Sequence, residues 1–82
     1  MRIYYPNNQL YASLEKTQKT YYYPDGTIKT IEPYFDGRLH GEVLLYWPDG
    51  KLKRRTHFQM GKRSGIDEMF KETGELFSHE NL

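Results

Sequence analysis

Cysteine is absent from this sequence of 82 residues. Without thiols the chain can form neither disulfides nor thiolate metal sites, and a reducing cytoplasm is the expected compartment. Apolar runs are also short: none approaches the roughly 18 residues of a membrane-spanning helix, and the first residues lack the apolar stretch of a signal peptide. The formal net charge is only +1, so no overall field directs the chain toward nucleic acid or membranes.

Aliphatic residues are sparse, and aromatic residues supply much of the apolar content. The hydrophobic fraction is 37%, and 16% of all residues are Phe, Trp or Tyr. Aromatic rings bring a large contact area per residue, and their spread along the whole chain argues against disorder. A chain of this length is expected to form one small domain with a thin core.

An internal repeat organises the chain, and its period is 24, the step from Tyr22 to Tyr46. The segment 22–28, Tyr-Tyr-Pro-Asp-Gly-Thr-Ile, recurs at 46–52 and more loosely at 70–76. A degenerate form stands at 4–10, and the step from it to the segment 22–28 is shorter than one full period. Repeats of this kind decide the fold, because each unit must bury its apolar residues against its neighbours.

A second segment, residues 34–41, recurs at 58–65 with the same offset. Two segments that keep one register over one period are not expected by chance. We therefore expect a single domain over residues 1–82, divided into a degenerate copy 4–21, full copies 22–45 and 46–69, and a truncated copy 70–82.

Each copy is expected to contain two strands and two turns. In Pro-Asp-Gly, Pro presets φ, Asp caps the turn and Gly takes the left-handed position, which is the chemistry of a type I turn closing into a bulge. The second turn, Gly-basic-x-x-Gly, offers two positions where a positive φ costs little. Segments 42–47 and 52–58 have the length and composition of strands, and no segment has the helical apolar period of about 3.6 residues.

The pattern Tyr-x-x-Asp-Gly-x-apolar, followed by an aromatic residue and Gly-basic-x-x-Gly, resembles the bacterial variant of the MORN repeat. The resemblance extends over nearly the whole chain, although the first copy lacks six residues and the glycine turn. It implies an all-β fold, an antiparallel β-meander of stacked hairpins in a single curved, twisted sheet. It also implies contacts with proteins or a place near membranes, often under an antitoxin-like label, and it carries no catalytic residues.

Alternation along the strands divides the side chains between two faces of the predicted sheet. One face is expected to collect the apolar positions that repeat: Tyr4, Leu10, Tyr22, Ile28, Tyr34, Leu44, Tyr46, Leu52, Phe58, Phe70, Leu76 and Leu82. The other face is expected to vary, with Tyr21, Tyr23, Lys29, Ile31, Val43, Leu45, Trp47, Lys53, Arg55 and His57, and in the last copy Met69, Lys71, Phe77 and His79. Arg54 is expected to point away from Lys53 and Arg55.

The variable face predicts a protein interface, because a one-layer sheet that is apolar on both sides leaves one patch uncovered. The predicted partner-binding residues are five apolar anchors and three cationic or ionisable residues: Tyr21, Tyr23, Val43, Leu45 and Trp47, with Lys53, Arg55 and His57. We expect an antitoxin, immunity or phage-inhibitor type of protein that occludes a partner with an acidic and apolar surface. Alternatively, long Lys and Arg stems cover the rings in a monomer. The outer strands also favour a homodimer.

The basic stretch within residues 46–63 supports a second hypothesis. Six Lys and Arg and no acid stand between Lys51 and Arg63, close to Trp47. Cations beside stacking rings are typical of proteins that bind single-stranded nucleic acid, and the same cluster suits anionic lipid. The expected division of these cations between two faces argues against it.

Catalytic, metal and cofactor sites are not expected. The three histidines, His40, His57 and His79, do not have the spacing of metal ligands, and no serine stands in a Gly-x-Ser-x-Gly motif. An open sheet of this size offers no pocket that excludes water from a small-molecule substrate. We therefore expect a protein that is not an enzyme and holds no cofactor.

Overall fold

The computed structural model describes residues 1–81, and these residues form β-strands and no helix. The strands are β1 (Arg2–Tyr4), β2 (Leu10–Leu14), β3 (Gln18–Tyr22), β4 (Ile28–Phe35), β5 (Arg38–Leu39), β6 (Gly41–Tyr46), β7 (Leu52–Gln59), β8 (Lys62–Phe70) and β9 (Leu76–Asn81). Leu82, which we expected on the periodic face, lies outside the described residues. The described part of the chain contains no helix long and apolar enough to cross a membrane.

All the strands belong to one open antiparallel sheet. Their order is β1-β2-β3-β4-β6-β7-β8-β9, with the short β5 paired to the end of β4. Successive strands are therefore neighbours, which confirms the predicted all-β antiparallel meander.

The sheet is a single layer. Its Cα atoms extend over 40 × 35 × 11 Å, and Ala12 and Val43 are the only apolar side chains that are buried among the described residues. Because no second layer covers either face, stability must come from cross-strand hydrogen bonds and side-chain pairs within the sheet.

The Pro-Asp-Gly turns have the geometry that the sequence predicts. Gly26 N donates to Tyr23 O at 2.9 Å, and Tyr23 N donates to Thr27 O at 2.8 Å. Asp25 Oδ1 accepts from Thr27 N at 2.9 Å, and Gly26 has a φ of +94°. The same pair of backbone hydrogen bonds closes the turns at residues 5–9, 47–51 and 71–75.

Each of these turns adds a bulge that shifts the register by one residue. Leu45 is paired with Arg54, but the next residue, Tyr46, is paired with Leu52, so Lys53 is an extra residue on β7. Equivalent shifts occur in the other three hairpins. Side-chain alternation is therefore not continuous through the turn.

The second type of turn is a two-residue connection with positive φ at both central residues. These are Asp36 (+52°) with Gly37 (+75°), and Met60 (+49°) with Gly61 (+87°). A type I′ turn requires this conformation and matches the twist of the flanking strands. The sequence pattern identified the glycines, but it did not predict that Asp36 and Met60 also take positive φ.

An aromatic side chain ties each hairpin to the next. It stands just after the strand that precedes a turn and donates a hydrogen bond across one strand to a main-chain carbonyl. The donor and acceptor pairs are Tyr5 Oη to Tyr22 O (2.7 Å), Tyr23 Oη to Tyr46 O (2.7 Å) and Trp47 Nε1 to Phe70 O (3.2 Å). We call Tyr5, Tyr23 and Trp47 the clamp residues. In the last copy the equivalent position is Lys71.

Replacing Gly50 tests the turn geometry. Gly50 has a φ of +90° and no atom lies within 4 Å of where its Cβ would stand, so the effect of Gly50→Ala is due to the backbone conformation alone. We expect Gly50→Ala to lower the free energy of unfolding by about 1–2 kcal/mol. Gly50→Asn should lower it less, because Asn8 already occupies this turn position at a φ of +69° in the first copy. Urea denaturation followed by circular dichroism measures both, and an equal loss in the two variants would contradict the assignment.

Removing one clamp hydroxyl tests the tie between hairpins. We expect Tyr23→Phe to lower the free energy of unfolding by about 1 kcal/mol, since it leaves the Tyr46 carbonyl without its donor. Tyr22→Phe is the matched control, because the Tyr22 hydroxyl makes no hydrogen bond with the described residues. Urea midpoints that are the same for the two variants would show that the clamp does not stabilise the sheet.

Candidate functional site

Cross-strand pairing assigns the side chains to two faces, because directly opposed residues lie on the same face. One row across the sheet, which defines the groove face, consists of Ala12, Tyr21, Thr30, Leu45, Arg54, Met69 and Ser78. The adjacent row, which defines the stripe face, consists of Ser13, Thr20, Ile31, Leu44, Arg55, Glu68 and His79.

The structure brings most of the predicted binding residues to the groove face. Tyr21 and Leu45 stand in its defining row, and Val43 is two residues along β6 from Leu45. Trp47 and Lys53 line the same groove as Leu45. Tyr23 has the position in its copy that Trp47 has in the next, and both are clamp residues.

Arg55 and His57 do not join this group, so that part of the prediction is wrong. Arg55 is paired with Leu44 and His57 with Glu42, which places both on the stripe face. The physical reason is the bulge at Lys53, which inverts the alternation along β7 relative to β6. For the same reason Arg54, expected to point away from Lys53, lines the groove beside it.

Other expected positions also change faces. Ile31 is paired with Leu44, and His79 with Glu68, so both lie on the stripe face. Phe58 is paired with Gly41, which is two residues along β6 from Val43 and therefore shares its face, so Phe58 lies on the groove face. Tyr34 also lies there, two residues along β4 from Glu32, to which it donates a hydrogen bond. The remaining periodic residues of the described chain lie on the stripe face, where Tyr4–Leu10, Tyr22–Ile28, Tyr46–Leu52 and Phe70–Leu76 are direct cross-strand pairs.

The groove lies over β6 to β9 and has a volume of about 270 Å³. It is lined by Leu45, Trp47, Lys53, Arg54, Met69 and Phe77, and by Phe70, whose main-chain carbonyl accepts the hydrogen bond from Trp47. Phe77, at its outer wall, is 55% exposed, whereas Leu45, Trp47 and Met69 are half-buried. A shallower depression continues from Trp47 and Phe77 to Lys71 and Glu72.

Lysine side chains lie over the aromatic rings of this face. Lys53 Nζ lies 4.7 Å from the centre of the Trp47 ring. The corresponding distances are 5.7 Å from Lys29 to Tyr23 and 4.6 Å from Lys19 to Tyr34. The aliphatic stems therefore cover apolar surface while the charge stays in water. Burial raises the pKa of the Tyr23 hydroxyl above its ordinary value, so this clamp residue keeps the proton that it donates.

A buried carboxylate holds the arginine of the groove. Asp67 is 5% exposed and accepts two hydrogen bonds from Arg54, from Nε at 3.0 Å and from Nη2 at 2.8 Å. Thr56 Oγ1 donates at 2.9 Å and Arg63 Nη1 at 3.2 Å. The hydrogen bonds from Arg54 lower the pKa of Asp67 below its ordinary value, and Thr56 and Arg63 act in the same direction against the opposing effect of burial.

Most cations of the basic stretch are already paired. Arg54 and Arg63 bind Asp67, and Arg55 pairs with Glu68 on the opposite face. Lys51 Nζ lies 3.9 Å from Asp49 Oδ2. Phosphate groups would therefore have to compete with carboxylates on both faces, which weakens the nucleic-acid and anionic-lipid hypothesis.

The histidines have structural neighbours. His57 Nδ1 lies 2.9 Å from the Ser64 carbonyl oxygen, and His79 Nε2 lies 3.9 Å from Glu68 Oε2. Within residues 1–81 no group of three or more His, Asp or Glu side chains is placed to hold a metal ion.

Sequence reasoning missed the clamp and part of the groove wall. Alignment of the copies places Tyr5, Tyr23 and Trp47 at one position, and a recurring aromatic residue with a hydrogen-bond donor was the available signal. The role of Asp67 was not predicted, because Arg54 and Thr56, which bind it, lie on the neighbouring strand. Met69 and Phe77 were expected on the variable face, and the structure places them beside Trp47, but they were not included among the predicted binding residues.

Two ranges of the chain, residues 17–36 and 39–60, match the family model described as the MORN repeat variant. Each range contains one Pro-Asp-Gly hairpin, β3–β4 and β6–β7, and together they cover about half of the chain. MORN repeats are in general modules that bind proteins or membrane lipids. Comparison with curated proteins and with solved structures finds no match.

Asp67 gives the stability of the sheet a defined pH dependence. Since the folded-state pKa of Asp67 is lowered, its contribution is fully present above the ordinary value of 3.8 and is lost as the pH falls through the folded-state value. We expect Asp67→Asn to lower the free energy of unfolding at neutral pH by about 3 kcal/mol and to flatten the acid side of the profile. Urea denaturation at several pH values measures this. The exposed Glu72→Gln control should keep the wild-type acid profile, and the same flattening in both would contradict the role of Asp67.

Proposed function

This chain belongs to the MORN repeat variant family, and we propose that it is a non-enzymatic module whose groove face binds a partner protein. The observation that carries the proposal is the uncovered groove walled by Leu45, Trp47, Met69 and Phe77. Within residues 1–81 no second layer covers these side chains, and exposed apolar surface of this kind is typical of interfaces.

The groove is well suited to binding because its central ring is held in place. The hydrogen bond from Trp47 Nε1 to Phe70 O and the Lys53 side chain over the ring restrict its rotation. A side chain that is already ordered loses little conformational entropy when a partner binds. Trp is also among the residues that contribute most binding energy at interfaces.

The charges beside the groove indicate the chemistry of the partner. Arg54 is committed to Asp67, whereas the ammonium groups of Lys53 and Lys71 stand at the exposed margin. A partner that inserts an apolar side chain and places a carboxylate next to it would satisfy both features. This supports the expected acidic and apolar partner surface.

The proposed contact residues differ from the predicted set. Leu45, Trp47 and Lys53 remain, and Met69 and Phe77 are added. Val43 is 7% exposed and Tyr23 acts as a clamp, so these two support the face rather than touch a partner. Tyr21 extends the apolar surface toward the first copy, and Arg55 and His57 are left out because they lie on the other face.

We further propose that binding occludes a functional surface of the partner, as an antitoxin, an immunity protein or a phage inhibitor does. The small size and flat shape of the chain suit such a role. This finer assignment rests on the resemblance of the repeats, and a cytoplasmic location belongs to the same proposal.

Two exposed phenylalanines allow a matched test. Phe77 is 55% exposed in the groove, and Phe35 is 61% exposed at the tip of a different hairpin. The partner would first be identified by affinity purification from the native host. The dissociation constant of the complex between this partner and the chain would then be measured by calorimetry for the wild type, Phe77→Ser and Phe35→Ser.

We expect Phe77→Ser to weaken binding about tenfold or more, because a buried phenylalanine contributes roughly 1.5–3 kcal/mol. Phe35→Ser should bind as the wild type does. Equal effects of the two variants would contradict the groove as the site. Tight, salt-sensitive binding to phosphatidylserine vesicles or to a single-stranded oligonucleotide, with no partner protein, would favour the alternative function instead.

A further inference from the structure

The two outer strands of the sheet carry a concentration of exposed apolar side chains. Among the described residues, β1 pairs only with β2, and β9 pairs only with β8. Ile3 and Tyr4 on β1, with the adjacent Met1, and Leu76 and Phe77 on β9 are all exposed. Outer strands also present unpaired backbone amides and carbonyls, which are a template for a further strand.

The register between copies specifies which strand would follow β9. Thr30 on β4 is paired with Leu45 on β6, and one repeat period later Arg54 on β7 is paired with Met69 on β8. One further period leads from Arg54 to Ser78 on β9. Ser78 therefore needs a partner equivalent to Leu45 and Met69.

In the first copy that equivalent residue is Ile3. Tyr4 corresponds to Tyr46 and Phe70 in the repeat, so the residue before it corresponds to Leu45 and Met69. A strand that continued the sheet after β9 would be equivalent to β6 and β8. In the first copy the equivalent strand is β1. The neighbouring pairs Ile31–Leu44 and Arg55–Glu68 follow the same rule. His79 is equivalent to Ile31 and Arg55, and Arg2 is equivalent to Leu44 and Glu68, so His79 and Arg2 form the next pair.

We propose that a second copy of this chain pairs its β1 with β9 of the first, antiparallel, with Ser78 opposite Ile3 and His79 opposite Arg2. The sheet then continues from one copy into the next in the register that already joins the internal repeats.

The two edges are complementary in charge and in apolar surface. Glu72, Glu75 and Glu80 lie on β9 and its turn, whereas β1 carries Arg2. Pairing would also cover exposed side chains of both edges. In addition, Lys71 stands at the clamp position, and its ammonium group can donate to the Tyr4 carbonyl of the second copy, as Trp47 donates to Phe70.

This contact is heterologous, because β1 and β9 are different surfaces. Each association therefore leaves one β1 and one β9 unpaired, and growth continues until a ring closes or the row stays open. The groove opens on one face of the sheet and reaches the edge at Phe77, so a strand added beside β9 extends this face and does not cover it. The proposal does not depend on the function proposed above.

Sedimentation velocity over a wide range of concentration, at low ionic strength, tests the association. We expect the average mass to rise from that of the 9.9 kDa chain beyond that of a dimer as the concentration increases. A chain that stays monomeric at every concentration, or that stops at a dimer, overturns the proposal.

Two substitutions test the register. His79→Arg puts a like charge opposite Arg2 of the second copy while keeping a nitrogen donor beside Glu68 of its own chain, and we expect association to weaken about fivefold. Adding Arg2→Glu to the same chain reproduces at the junction the Arg55–Glu68 pair that joins β7 to β8. Association of this double variant should return to at least the wild-type level.

The behaviour of the double variant distinguishes pairing of β1 with β9 from pairing between other outer strands. If β9 paired with β9 of another copy, Arg2→Glu would not restore association, and this result overturns the proposal. Gln59→Arg, which adds the same charge away from both outer strands, is the control and should associate as the wild type does. Circular dichroism of each variant checks that the sheet is intact.

Discussion

A sheet of one layer has no core that could hold its hairpins together, so they must be tied to each other within the sheet. The hydrogen bond from an aromatic side chain, across one strand, to a main-chain carbonyl provides this tie at each junction between copies. The polar atom lies at the tip of the Tyr or Trp side chain, so the ring itself stays available for packing. In Trp47 one side chain therefore both joins two hairpins and forms the wall of the groove.

The bulge beside each Pro-Asp-Gly turn determines which residues share the groove. Without it, Lys53 would be paired with Leu45, and Arg55 would share their face. With it, Arg54 is paired with Leu45, and the buried Asp67 on the neighbouring strand holds its guanidinium. A salt bridge of this kind is costly to leave incomplete, so the bulge and the ion pair support the same register. The turn chemistry thus affects the proposed binding surface at a distance from the turn itself.

Electrostatic pairing leaves few unpaired cations in the basic stretch. Arginines of the basic stretch are bound to carboxylates on both faces, and lysine stems lie over aromatic rings. The charge that remains beside the groove belongs to a few lysines at its margin. This arrangement fits the proposed partner, with a carboxylate next to an apolar side chain, better than it fits a polyanion. The lysine stems cover the rings only in part. Covering by lysine stems and a protein interface are therefore both compatible with this arrangement.

The sequence alone was sufficient for the repeat, the turn chemistry, the absence of helices and the antiparallel meander, because these follow from local patterns of Pro, Asp, Gly and aromatic residues. It also identified Leu45, Trp47 and Lys53 as neighbours on one face. Only the tertiary structure assigned Arg55 and His57 to the opposite face and showed that Phe77, expected on the face of Trp47, forms a wall of the groove. The reason is physical: a bulge inverts the alternation of every residue that follows it, and its position depends on hydrogen bonds between strands, which a count along one strand does not contain.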